Sequence, residues 1–270
     1  MRRVMGGEDG KRAAIDIHAH IGWHEIPWMR ESDPAALLRQ ARRAGVTLCV
    51  ASHSDAFRTD RHRSRERYNM ELLRAAEKEK RLLVWWVVDP QDDRDLAAGR
   101  RIASHGRVVG FKVHPRLHGY PFAKRADEIL GLAREAGVPV LTHAGNAGNM
   151  PIEIVRAAEP YEDVRIIIAH FGNCAGHLGH VRALRSCRSR NVFTDTSSAV
   201  SIQHGIIEMG VREVGVGRFL FGSDCRAYHL PAQYHRIACA DLSALERRKI
   251  LWENAARHIL KPEQVKLRGS

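Results

Sequence analysis

The chain has 270 residues, enough for one large domain or two small ones, and its 44% hydrophobic and 27% charged residues exclude a disordered, collagenous or low-complexity protein. Forty-three Lys and Arg against 31 Asp and Glu leave a formal charge of +12, which raises an anionic partner, nucleic acid included, as an expectation. The five cysteines, Cys49, Cys174, Cys187, Cys225 and Cys239, are odd in number and form no CxxC pair, so a disulfide framework is excluded as the basis of the fold. Residues 1–12 are basic without the apolar run of a secretory signal, and no stretch approaches the ~18 apolar residues of a membrane span. A cytoplasmic protein without membrane partners is expected.

In chain order, β-rich runs are predicted at 14–17, 47–51, 82–88, 108–113, 139–141, 165–169, 191–194 and 218–221. Most are continuous apolar stretches, the pattern of strands buried on both faces of a parallel sheet. Helical stretches lie between them. Asp33 caps and Pro34 opens a segment that Gly45 closes, and the segment from 126 ends in the same way at Gly137. No Pro/Gly/Ser-rich linker divides the chain, so a single domain over 1–270 is expected, with 1–12 and 261–270 as flexible ends. Eight strand–helix alternations predict an α/β fold, the (β/α)8 TIM barrel. A doubly wound open sheet is the alternative, and it is disfavoured because the turn after the first strand reads HAHIGW and carries no GxGxxG.

In barrels the chemistry sits at the strand C-termini. Here the runs end in metal-ligand types: Asp16-Ile17-His18-Ala19-His20, Lys112-Val113-His114-Pro115, Thr142-His143, Ala169-His170 and Ser223-Asp224. Side chains alternate with period two, so His18 and His20 project to one side and can grip one cation. With 16 histidines in the chain an HxH pair alone says little; its place at a strand end gives it weight. Imidazoles with one carboxylate suit Zn²⁺ as the default and Mn²⁺, Fe²⁺ or Co²⁺ as alternatives, whereas Ca²⁺ and Mg²⁺ take more oxygens.

These residues resemble the amidohydrolase superfamily, and within it the amidohydrolase-related, metal-dependent hydrolases of TIM-barrel fold. The chain is similar also to the aminocarboxymuconate-semialdehyde decarboxylase-like group. The motifs are DIHAH at 16–20, GFKVHP at 110–115, PVLTHAG at 139–145, IIIAHFGN at 166–173, FLFGSD at 219–224 and ENAARHIL at 253–260. The resemblance implies His18, His20, His143 and Asp224 as metal ligands, with His170 beside the metal polarising the substrate. Two positions depart from the family: Asn173 stands where a second Gly is frequent, and Asp16 where some decarboxylase members carry Glu.

The activity so implied is that of a hydrolase, in which a metal-activated water cleaves a C–N or C–O bond (amide, cyclic amide, ester or lactone) of a small, anionic substrate. In that reading Asp224 accepts the proton of the water and passes it to the leaving group, while His170 stabilises the oxyanion. The alternative is a non-oxidative decarboxylase or hydratase of a small carboxylic acid on the same ligands. Lys112 either is carboxylated and bridges two metals, the second held by His143 and His170, or binds a substrate carboxylate; one metal per chain is the expectation.

His114, Arg226 and Trp23 follow strand ends, either lining the substrate pocket or forming a solvated rim. Asp16 is a candidate to orient a ligand histidine. Asp195, Thr196, Ser197 and Ser198 are expected to cap the following helix, His177 and His180 to be surface residues, and Cys225 to be inert. The basic stretch 58–67 lies near the mouth and would attract an anionic substrate. No nucleic-acid-binding pattern appears, so the expected partner is a small molecule; a homo-oligomer is compatible with the sequence.

Overall fold

The computed structural model describes residues 14–23, 31–58, 62–173, 176–225 and 227–266. Runs of Val, Ile and Leu without a polar face need cover on both sides, and eight of them pair as parallel strands. These are β1 (Ala14–Trp23), β3 (Val46–His53), β4 (Leu82–Val87), β5 (Val108–Val113), β6 (Val140–Thr142), β7 (Ile166–Ile168), β8 (Val192–Asp195) and β9 (Phe219–Leu220). A two-residue strand that the sequence does not announce, β2 (Glu31–Ser32), pairs antiparallel with the end of β1. The parallel strands follow one another in chain order, and the sheet curls until its ends meet. Ile17 N–H donates to Phe221 O at 3.0 Å, Asp224 N–H to His18 O at 2.7 Å, and Ala19 and Cys225 form a parallel bridge. Backbone groups that an open edge would leave unpaired are thus used.

The αβ joints are built as the punctuation predicts. Asp33 accepts the Ala36 N–H, Pro34 opens the helix Pro34–Ala44, and Gly45 leaves it at φ 75°. Gly137 ends the helix Ala126–Ala136 at φ 65°. Both glycines supply the left-handed conformation that an L side chain resists.

Inside the curled sheet lies an apolar layer of Ile15, Ile17, Leu48, Val50, Leu83, Trp85, Val109, Leu141, Ile167, Phe193 and Leu220, and Ala255, Ile259 and Leu260 of the C-terminal segment join the same cluster. Strict alternation along β1 would turn His18 away from the side that Ile15 and Ile17 occupy. The register of β1 against β3 shifts between Asp16 and Ala19, and this break in phase lets the strand deliver both apolar residues to the core and His18 and His20 to the mouth.

The expectation of a flexible tail from residue 261 is corrected over its described part. Pro262–Lys266 is a helix, and its buried Gln264 donates to Gly106 O and Val108 O at 3.1 and 2.9 Å, satisfying carbonyls at the start of β5. Residues 1–12 lie outside the described residues. Among those described, no helix is long and apolar enough to cross a membrane.

Candidate metal centre

His18, His20 and Asp224 meet where β1 and the segment after β9 come together. His18 Nε2 lies 3.2 Å from His20 Nε2, and Asp224 Oδ1 lies 3.0 Å from His20 Nε2 and 3.9 Å from His18 Nε2. The hydrogen bonds of the other ring nitrogens decide what those atoms are. His18 Nδ1 is 2.8 Å from Asp195 Oδ2, so it carries the proton and leaves a lone pair on Nε2. His20 Nδ1 is 2.8 Å from Ser52 Oγ, and with the hydroxyl as acceptor His20 Nε2 is left in the same state. Burial holds His18 down to about 3 and lowers His20, so both rings are neutral. Burial would raise Asp224, but the close His20 ring and the neighbouring His170 and His18 hold its carboxyl well below the usual carboxylate range. With the Ser52 hydroxyl as acceptor, two lone pairs and a carboxylate face one another. Ligands ~2.1 Å from one cation, at angles between octahedral and tetrahedral, stand ~3.0–3.4 Å apart, which is the spacing of His20 from both partners; the donor set fits a divalent metal.

Among the described residues a second compact group joins His18, His170 and Asp195, but its carboxylate is already occupied. Asp195 Oδ1 accepts the backbone N–H of His170 at 2.9 Å, that of Ser197 at 3.0 Å, and the Ser197 hydroxyl, while Oδ2 takes the His18 ring. Burial raises this carboxyl, but His18 and these donors more than compensate and keep it ionised. Asp195 thus fixes the tautomer of His18, in place of the capping role expected of it; Ser198 Oγ accepts the Val200 N–H at 2.9 Å in the turn before the next short helix, whose N-cap is Ala199. Gly222 permits the approach, since a Cβ there would meet His18 Cβ at 2.9 Å and Asp195 Cβ at 3.2 Å. Asp16 does not reach a ring. It accepts from Ser223 N and Oγ and from His18 N, at 3.0, 2.5 and 3.1 Å, and so ties β1 to the segment that carries Asp224.

His143 and His170 line the same cavity. His170 Nδ1 donates to Ser197 O at 2.5 Å, and its Nε2 lies 3.1 Å from His143 Nδ1. His143 lies outside the compact group of three donors. Lys112 is buried with Nζ 3.2 Å from His18 Nε2, and burial brings its amine down to about 8 against the opposing charges of Asp195 and Asp224. Asp224 and His170 hold the left-handed backbone at φ 52° and 65°, uncommon for residues with a side chain and worth roughly 1–3 kcal/mol each in strain.

Six flat side chains form a closed circuit around a cavity of about 190 Å³. The ring centroids follow one another as Phe57, His20, His18, His170, His143, His114 and back to Phe57, at 5.6, 5.0, 4.9, 4.9, 4.1 and 5.3 Å. Among the described lining residues Asp224 is the one acid, whereas Lys112 and Arg58 bring two cations. Phe57, Ser52 and Asp195 are participants that the sequence reading missed; only Asp195, a carboxylate closing an apolar run as Asp224 does, left a signal there. Trp23 closes β1, but its side chain lies outside the described residues, as does Arg226.

One expectation at the mouth is corrected. His180 is buried against Phe171, not at the surface, because its helix Gly176–Ser186 turns that face to the core. Within the basic stretch, Arg65 is buried and ion-paired with Asp95 and Asp89, and its Nε donates to Ala56 O at 3.3 Å, fastening the turn that carries Phe57.

The Amidohydrolase family model matches residues 15–258. A search of curated proteins finds no match. Among solved structures, the chain is similar to 2,6-dihydroxybenzoate decarboxylase from Rhizobium, with TM-score 0.75 and 15% identity over 96% of this chain and 100% of that one. It is similar also to a dihydroxybenzoic acid decarboxylase from Polaromonas with bound manganese and the inhibitor 2-nitroresorcinol, with TM-score 0.73 and 15% identity over 96% and 98%. A protein from Pseudomonas putida assigned as a 2-pyrone-4,6-dicarboxylic acid hydrolase aligns with TM-score 0.69 and 21% identity over 95% and 97%.

Proposed function

The chain belongs to the amidohydrolase family, and from that premise we propose that it is a metal-dependent, non-oxidative decarboxylase of a small aromatic carboxylic acid, built on a (β/α)8 barrel. The observation that carries this reading is the circuit of six flat rings around a cavity with two cations and one acid. A flat anion suits it in shape and in charge. The cavity is smaller than the ~300–1,000 Å³ of sites for drug-sized ligands, which suits a substrate of about one ring. The resemblance in fold to two decarboxylases of dihydroxybenzoates supports the same choice over the hydrolase expected first.

His18, His20 and Asp224 would hold the cation, with His143 as the fourth donor, and one metal per chain is proposed. Manganese stands beside zinc as the candidate, because a decarboxylase of similar fold binds it. When bound, a divalent cation there offsets the charge of the carboxylate and of the electron pair left when the C–C bond breaks. The residues of the chain supply the remainder. Lys112 attracts the carboxylate, and Phe57 with the stacked imidazoles holds the ring flat and keeps water from it. Asp224 takes up a proton from solvent at the mouth and passes it to the ring carbon as the C–C bond breaks and carbon dioxide leaves, with His170 orienting the departing group.

The test is release of carbon dioxide from 2,6-dihydroxybenzoate and related hydroxybenzoates by protein loaded with Mn²⁺ or Zn²⁺. Turnover supports the reading. No release from any of them, with ring opening of 2-pyrone-4,6-dicarboxylate instead, would favour the hydrolase, a second reading supported by the 21% identity to the Pseudomonas protein.

A further inference from the structure

His114 stands opposite His18 in the circuit of rings, three steps away in either direction. It follows β5 and caps the short helix Pro115–His118, where its Nδ1 faces the Leu117 N–H at 3.4 Å. A proton on Nδ1 would meet that N–H head-on. The neutral ring therefore carries its proton on Nε2, the nitrogen on the far side from the backbone. Stacking on His143, at 4.1 Å between centroids and 15° between planes, and contact with Phe57 fix the ring as part of the cavity wall. No acceptor for Nε2 is found among the described residues, although every other imidazole of the circuit has a ring nitrogen tied to a side chain or carbonyl of the site.

We propose that His114 is a specificity residue: its Nε2–H donates to an oxygen that the substrate carries on the edge remote from its carboxylate. This rests on the aromatic-acid reading above and sharpens it. With the carboxylate drawn to the end where His18, His20, Asp224 and Lys112 converge, a ring that fills the cavity brings its opposite edge to His114. The favoured acids bear a hydroxyl or keto oxygen there, and the hydrogen bond sets a preference without taking part in bond breaking.

The test compares 2-hydroxybenzoate with 2,4-dihydroxybenzoate, which adds the remote hydroxyl, by calorimetric titration of Mn²⁺-loaded protein. Wild type should bind the second acid about three- to tenfold more tightly, the range of one net neutral hydrogen bond. Two variants separate donor from cap. In His114→Asn the amide oxygen replaces Nδ1 and keeps the cap, but no donor reaches the cavity, so the ratio of the two affinities should fall to about one, whatever the loss of the stacked ring does to both acids alike. In His114→Gln the amide nitrogen replaces Nε2 and the preference should persist despite a weakened cap. Equal binding of both acids by wild type, or a preference retained in His114→Asn, overturns the proposal. If wild type binds neither acid, the aromatic-acid reading falls and this inference with it.

Discussion

The two ends of the same eight strands are chemical opposites. Within the curled sheet Ile15, Leu48, Trp85, Leu141 and Ile167 pack on one another and on the C-terminal residues Ala255 and Ile259. A few residues further along, the strands deliver His18, Lys112, His170 and Asp195 into positions as fully buried. The lower layer stabilises by removing apolar surface from water, at roughly 25 cal/mol per Å². The mouth does the reverse: it holds two residues at positive φ, a lysine out of water, and imidazole nitrogens crowded to 3.2 Å. Such an arrangement persists only because the layer beneath over-determines it. Stability and chemistry are thus separated along the strand, and substitutions at the two ends should fail in different ways.

The largest expected effect is at the mouth. Asp224→Asn keeps the shape and tolerates φ 52°, so the melting temperature should hold while carbon dioxide release falls about 10²–10⁴-fold. A variant near the wild-type rate would remove Asp224 from the mechanism. At the other end, Trp85→Ala deletes a buried ring whose Nε1 donates to Ile17 O at 2.6 Å. It should cost about 3–5 kcal/mol in denaturant unfolding, while the fraction that stays folded turns over normally. Stability unchanged there would mean that the lower layer is not what holds the fold.

Lys112 gives a pH signature. Its amine lies at about 8 in the folded protein against an ordinary value of 10.5, so between those values the unfolded chain still holds a proton that the folded chain has released. Stability of the metal-free protein should therefore rise with pH across that window, by on the order of 3 kcal/mol in the difference between wild type and Lys112→Met. A difference that stays flat from pH 8 to 10.5 would put Lys112 in contact with water. The smallest effect is expected for Asp195→Ala. Freed from its acceptor, His18 loses its fixed tautomer, and Mn²⁺ affinity measured against a competing chelator should drop about 10–100-fold.

Several of these features were legible beforehand. The run 108–113 matches β5 residue for residue, and Gly45 and Gly137 end their helices where the punctuation puts them. Local chemistry suffices in such places: a continuous apolar run must be covered on both faces, and only glycine enters the left-handed region freely. The listing of histidines at strand ends was legible for a related reason, because a polar residue at the end of a buried strand is visible against its apolar context. By contrast, β1 continues six residues past its predicted end, since pairing of His20 with Ser52 and of Ile21 with His53 carries it over the mouth. The burial of Arg65 was also hidden, because within RTDRHRSRER nothing distinguishes the one arginine that meets Asp95 and Asp89 from those that face water.

By itself the order of amino acids determined the alternation of strands and helices, the places where helices stop, and the residue types presented at the strand ends, because each depends on neighbours a few positions away. Tertiary structure alone decided which nitrogen of His18 carries the proton, that Asp195 and Ser52 hold two of the rings, and that Phe57 completes the circuit with His114. Those outcomes turn on distances between groups separated by 32 to 177 positions, and hydrogen bonding acts over ~3 Å of space whatever the length of chain between the partners.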